Sequence, residues 1–159
     1  SSTAYESVFH PYLLKEYRNR WFVIGRQEGK KKLINFALDR IKKIRNSSKK
    51  YQYNDLHDMS NYFDNLIGVT LPKNGAIDEI EIKVSSIQTP YIITKPIHNS
   101  QLIIKEYQDG SVIIRLSLII NEELKSVLLG YGNDIEVLKP ASLRENMKTI
   151  FQSGFNSYS

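Results

Sequence analysis

Residues 100–119, "SQLIIKEYQDGSVIIRLSLI", constrain the fold more than any other stretch of the chain. Two runs rich in β-branched residues flank Asp109-Gly110, and glycine there supplies the positive φ that a tight hairpin turn needs. The spacing predicts two antiparallel strands joined by that turn. Upstream, "IDEIEIKV" (Ile77 to Val84) alternates apolar and polar residues with the period of a half-buried strand.

The segments between and after these runs have helical signals. "SSIQTPYIITK" predicts a short helix with Pro90 in its first turn, where proline costs no hydrogen bond. "NEELKSVLLGYG" predicts a helix capped by Asn121 and stopped at Gly130 or Gly132. "DIEVLKP" reads as another strand, and "ASLRENMKTIFQSGF" as a last helix beginning after Pro140. The predicted order is β-α-β-β-α-β-α, whose first six elements match a ferredoxin-like split β-α-β arrangement.

The first fifty residues read differently. "AYESVFHPYLL" predicts a strand broken near Pro11, which lacks an N–H and belongs at an edge, bulge or strand end. "RNRWFVIGR" (Arg18 to Arg26) predicts a strand with Arg18, Arg20, Phe22, Ile24 and Arg26 on one face and Asn19, Trp21, Val23 and Gly25 on the other. Glu28 to Lys30 supplies a glycine turn, and "KLINF" returns as a strand. "FALDRIKKIR" fits two templates. Leu33, Phe36, Ala37, Ile41 and Ile44 fall at helical spacing, while Ile34, Phe36 and Leu38 fit a strand that breaks at Asp39. "NSSKKYQY" (46–53) is a polar connector. "NDLHDMSNYFDNLIG" (54–68) predicts a helix capped by Asn54 and stopped by Gly68. Residues 71–77 predict a turn and module boundary. The expected organisation is 1–53, a connecting segment 54–74, and 75–159.

Charge separates the two halves more sharply than composition does. Residues 1–50 hold 13 Lys/Arg against 4 Asp/Glu, a local +9, while residues 51–159 hold 9 against 13, a local −4. Such asymmetry points to an anionic partner for the first module, or to a solvated basic face without one. Hydrophobic residues at 41% and charged residues at 25% suit a globular protein rather than a disordered one. No apolar run approaches the ~20 residues of a membrane helix, and no signal-peptide pattern opens the chain. With no cysteine, neither a disulfide nor a thiolate zinc site can form. A cytoplasmic setting is expected.

Catalytic signatures are lacking. His10, His57 and His98 have no metal-ligand spacing. There is no Gly-x-Ser-x-Gly elbow, P-loop or metalloprotease motif. "GYGND" lacks the third glycine of a dinucleotide fingerprint and follows a helix, so it reads as a helix stop. Neither enzyme activity nor a cofactor or metal is expected. The basic module has the side chains of an anion-binding face: arginine forks for phosphate and flat rings for base stacking. Tyr12, Tyr17, Trp21, Phe22 and Phe36 accompany Arg18, Arg20, Arg26 and Arg40. Core packing is the competing role for Trp21 and Phe36, and a solvated turn for Lys30–Lys32. Arg40 interrupts an apolar stretch, where a buried guanidinium would need Asp39, another partner or a ligand.

At these residues the chain resembles WYL-domain proteins. The Trp-Tyr-Leu signature appears as Trp21-Phe22-Val23. "FHPYLLKEYRNRWFVIG" resembles the family's His-Pro entry and signature strand, and "FALDRI" its Phe-x-Leu-Asp-Arg-Ile segment. "PIHNSQ", "LLGYGNDIEVLKP" and "SLRENM" resemble the family's C-terminal extension. The resemblance implies an α+β chain: a small SH3-like or Sm-like β-barrel followed by a ferredoxin-like α/β sandwich. It also implies the effector-sensing part of a bacterial transcription regulator that dimerises and binds a single-stranded nucleic acid or nucleotide-like ligand. By position His10, Trp21, Phe22 and Arg40 match the family's ligand region. The charge reading adds Arg20 and Arg26, and Tyr12 is an available ring. Ile34 stands where the family often has an arginine. The first barrel strand is expected to precede Ser1. Operator DNA would be reached only through a helix-turn-helix domain that does not lie in this stretch.

Overall fold

The computed structural model describes residues 5–55, 57–73 and 75–159, and these divide into two units, one up to Asp64 and one from Asn65. The first unit contains a three-stranded antiparallel sheet, β1 (Phe9–Tyr17), β2 (Arg20–Gln27) and β3 (Leu33–Ala37), in that order. β1 is an edge strand, and its register shifts between Pro11 and Leu13. The proline thus sits at a bulge on an edge, where its missing N–H breaks no ladder bond.

Arg18 and Asn19 are not part of a strand. Both adopt positive φ (50° and 61°) and form the two-residue turn between β1 and β2. Successive left-handed residues match the twist of a tight hairpin, and asparagine tolerates that region. The strand face expected to begin at Arg18 therefore begins at Arg20.

Pairing sets the faces of β2. Arg20, Phe22, Ile24 and Arg26 stand opposite Tyr17, Lys15, Leu13 and His10 of β1. Trp21 and Val23 stand opposite Glu16 and Leu14, and Val23 also faces Phe36 of β3. The middle of β2, Val23 to Arg26, is buried. Gly25 has no room for a side chain: a Cβ there would lie 2.2 Å from the His10 carbonyl oxygen and 2.6 Å from the Phe9 ring. Phe9 closes over this position and packs edge-on against Phe36 at 5.2 Å.

The two-template segment resolves into a strand, then a 3-10 turn at Leu38–Arg40 closed by the Ile41 N–H on the Leu38 carbonyl at 3.1 Å. Pairing of Phe36 and Ala37 with Val23 and Phe22 overrides the helical spacing. The helix expected over 54–68 does not form, and residues 59–65 are turns. Local side-chain bonds compete with a helix there. Asp58 accepts from both the N–H (2.9 Å) and the hydroxyl (2.7 Å) of Ser60, and Asn54 accepts from the His57 N–H at 3.4 Å.

The second unit has strands β4 (Ile77–Val84), β5 (Leu102–Glu106), β6 (Val112–Ile119) and β7 (Ile135–Lys139). They form one antiparallel sheet in the order β5-β6-β4-β7. Helices α1 (Thr89–Thr94), α2 (Glu122–Leu129) and α3 (Ala141–Asn156) complete it. The hairpin about Asp109-Gly110 is present, with Gly110 at φ 83°. Alternation buries one face of the sheet: Ile80, Ile82 and Val84 from β4, Val112, Ile114, Leu116 and Leu118 from β6. Ile92, Leu124, Leu128, Leu143 and Met147 cover that face from the helices. The other face carries an ion-pair ladder of Glu79, Arg115, Glu81 and Lys139. No helix among the described residues is long and apolar enough to cross a membrane.

Candidate anion-binding site

The expected site residues all lie in the first unit, but the sheet distributes them to separate places. Arg20 and Arg26 share a face of β2, six residues apart, which is about 20 Å along a strand. Trp21 points to the opposite face and is 52% exposed. Phe22 is half-buried on the arginine face.

One group gathers at the far end of the hairpin, around His10 and Arg26. His10 is only 2% exposed and Arg26 8%. The Gln52 main-chain N–H donates to His10 Nδ1 at 3.2 Å. The ring proton then resides on Nε2 and is donated to Glu28 Oε2 at 2.7 Å. Gln52 Nε2 donates to the same Glu28 oxygen at 3.1 Å. Arg26 donates to Asp55 Oδ1 at 2.7 Å and to Gln52 Oε1 at 3.0 Å. A buried guanidinium without such partners would be costly.

Three tyrosines border this cluster. Tyr51 donates its hydroxyl to the Pro11 carbonyl at 2.8 Å. Its ring stands edge-on to His10, Tyr12 and Tyr53 at 5.9, 6.3 and 5.1 Å. Desolvation, then the neighbouring Tyr12 and Tyr53, hold the Tyr51 hydroxyl above the usual tyrosine range, so it stays a donor. Tyr12 occupies the bulge of β1, and its buried hydroxyl, like Arg26 Nε, has no hydrogen-bond partner among the described residues.

The second group lies at the hairpin-turn end. Arg20 bonds Asp39 from both Nε (3.0 Å) and a terminal nitrogen (2.7 Å). Arg40 is exposed in the 3-10 turn and has no hydrogen bond or ion pair among the described residues. Its position is therefore not the buried one its apolar neighbours suggest, and Asp39 serves Arg20 instead.

Exposed cations lie toward both ends of the sheet: Lys30–Lys32 in the β2–β3 turn beyond Arg26, and Lys42 and Lys43 shortly after Arg40. Lys30, Lys31, Lys32, Lys42, Lys43, Lys49 and Lys50 are exposed and form no ion pair among the described residues. Arg45 in the same stretch pairs with Glu6. The connector expected over 46–53 and the first turn of the helix expected over 54–68 instead supply Gln52 and Asp55 to the cluster around His10 and Arg26. The signal available in the sequence was the tyrosine alternation of "YQY" followed by an acid. No group of three metal-ligating side chains exists among the described residues.

The family model for the WYL domain matches residues 1–46, and that for the WCX domain matches residues 77–153. No curated protein matches the chain. Among solved structures, the chain is similar to proteasome accessory factor B/C (PafBC) of Arthrobacter aurescens, at 13% identity and a TM-score of 0.42. The match covers 98% of this chain and 23% of that one, so the chain spans about a quarter of that protein's length.

Proposed function

The chain belongs to the WYL-domain proteins, its WYL domain followed by a WCX domain, and on that premise we propose that it is the effector-sensing part of a bacterial transcription regulator. The WYL module binds single-stranded nucleic acid or a nucleotide-like anion on its basic face, and acts in regulation rather than catalysis. The observation that carries this reading is the set of exposed cations between Lys30 and Lys50, Arg40 among them, that form no ion pair among the described residues. Phosphates meet Arg40 and these lysines, a base stacks on exposed Trp21, Tyr12, Arg20 and Phe22 border the site, and the buried His10 and Arg26 complete it from beneath the 51–55 segment. Binding is relayed to a helix-turn-helix domain that reads the operator.

The architecture proposed with it is an SH3-like or Sm-like barrel over 1–53, a connection over 54–74 and a ferredoxin-like module over 75–159. The three-stranded bulged sheet supports the first assignment, and the strand order β5-β6-β4-β7 with two β-α-β crossovers supports the last. A second reading, a dimerisation module without a ligand, is favoured by edge strand β5, whose Leu102, Ile103 and Ile104 are all exposed.

Anisotropy of labelled short DNA and RNA, read at two salt concentrations, tests the first reading. About four contacted phosphates imply an affinity loss on the order of fiftyfold between roughly 50 and 200 mM salt. Absence of binding at either salt, with a firm dimer in sedimentation, replaces it with the second.

A further inference from the structure

We propose that Asp55 is a built-in competitor for the oligonucleotide: the strap 51–55 occupies the Arg26 anion site in cis, and a phosphate displaces it. The inference rests on the anion-binding reading above and adds how that site is regulated.

The strap is held by polar contacts. Tyr51 bonds the Pro11 carbonyl, Gln52 bonds His10 and Glu28, and Asp55 bonds Arg26. Tyr51, Tyr53 and Asp55 are all exposed, so no fully buried apolar side chain anchors the segment. A segment fixed in this way opens at lower free energy than the core strands beneath it.

Asp55 is also a poor match for what it covers. Its side chain is 72% exposed, and it takes one N–H of a guanidinium that is nine-tenths buried. Arg26 Nε is left buried with no partner among the described residues. A guanidinium offers five donors in a planar fork, and a phosphate has more acceptor oxygens than a singly bonded carboxylate. Departure of the strap uncovers Arg26 and the Nδ1 edge of His10 beside the Tyr12 ring. Exchange of the Asp55 carboxylate for a phosphate keeps the buried charge paired throughout, which avoids the cost of a bare guanidinium.

The test uses the full chain and a 5′-phosphorylated oligothymidylate of about ten nucleotides, with Asp55→Asn, Arg26→Gln and Asp64→Asn. Asp64 is an exposed acid of the same unit whose side chain has no bond among the described residues, so its variant makes the same charge change away from Arg26. Asp55→Asn is expected to tighten binding about fivefold to tenfold, because a larger fraction of molecules has the site open. Hydrogen exchange at the Gln52 amide, read by NMR, is expected to quicken in that variant and in wild type on adding the oligonucleotide. Arg26→Gln is expected to weaken binding, and Asp64→Asn to leave it within about twofold.

Wild-type binding that Asp55→Asn leaves unchanged or weakens overturns the inference while the anion-binding reading stands. Equal tightening by Asp55→Asn and Asp64→Asn overturns it too, since general charge then explains the effect. Unchanged affinity in Arg26→Gln removes the site. Binding by none of the proteins overturns the anion-binding reading and this inference together.

Discussion

Arg20 commits Nε and a terminal nitrogen to a single oxygen of Asp39, at 3.0 and 2.7 Å, across the β2–β3 side of the sheet. That contact leaves the adjacent Arg40 without an acidic partner among the described residues. The two arginines should therefore behave differently on mutation. Arg20→Ala removes an exposed pair and is expected to cost about 0.2–1 kcal/mol in urea unfolding. Arg40→Ala is expected to change stability by less than about 0.5 kcal/mol. If Arg40 meets a phosphate, its loss lowers oligonucleotide affinity and reduces the salt slope by about 0.7. An unchanged slope removes Arg40 from the interface.

Gly25 and Gly29 separate two reasons for a glycine. A methyl at Gly25 meets the His10 carbonyl and the Phe9 ring, and the carbonyl is backbone that cannot swing aside. Gly25→Ala is expected to cost about 3 kcal/mol, near the upper end for overpacking. Gly29 has open space around it but a φ of 72°, so Gly29→Ala costs about 1 kcal/mol from the left-handed backbone alone. The only tryptophan, Trp21, lies in this unit, and its fluorescence reports that unit's unfolding. Equal midpoints for the two variants contradict the distinction.

Much of the second unit was legible because its alternation is uninterrupted. In β6 every second residue is buried, as are Ile80, Ile82 and Val84 of β4, and period two admits one orientation toward the helices. The caps were legible as well: Asn121 accepts from the Leu124 N–H at 2.8 Å as its position predicts. The first unit was less so, because its decisive signals are not periodic. Arg18 and Asn19 form a turn without glycine, and Asp58 captures Ser60 in a turn where the apolar spacing suggests a helix. The candidate site suffered most. Arg26, His10, Gln52 and Asp55 meet across up to 42 residues of chain, and only the folded hairpin brings them together. Charge counting found the basic module but not which cations the protein itself neutralises.

Acid should weaken the second unit through Glu81. Its carboxylate accepts Lys139 Nζ at 3.2 Å and an Arg115 terminal nitrogen at 3.2 Å. The Lys139 bond foremost, with Arg115 contributing, holds its pKa below the usual carboxylate range despite opposing desolvation. A depressed folded-state pKa means that the unfolded chain binds the proton more readily. The contribution is fully present above the ordinary glutamate range and is lost as pH falls through the lowered value. Thermal melts across that window should show a declining midpoint, and Glu81→Gln should flatten the decline. An equally steep decline in Glu81→Gln assigns the acid sensitivity elsewhere, with Asp109, held low by its Ser111 bonds, the next candidate.

Asn121 does more than cap α2, and one substitution can separate its roles. Its Oδ1 accepts from the Leu124 N–H, while Nδ2 donates to the Ile67 and Thr70 carbonyls at 2.8 and 3.0 Å. The side chain is buried, so those carbonyls have little water to turn to. Asn121→Ala loses the cap and both donors and is expected to cost about 3 kcal/mol. Asn121→Asp keeps the cap acceptor and suits the positive end of the helix dipole. It also sets a carboxylate oxygen against two carbonyl oxygens, a repulsion with no compensating donor. Urea unfolding followed by far-UV circular dichroism should therefore find Asn121→Asp as unstable as Asn121→Ala. Recovery of wild-type stability by aspartate reduces the residue to an N-cap and makes the fastening of residues 67–70 to α2 the work of Glu123, whose Oε1 accepts from the Val69 and Thr70 N–H groups.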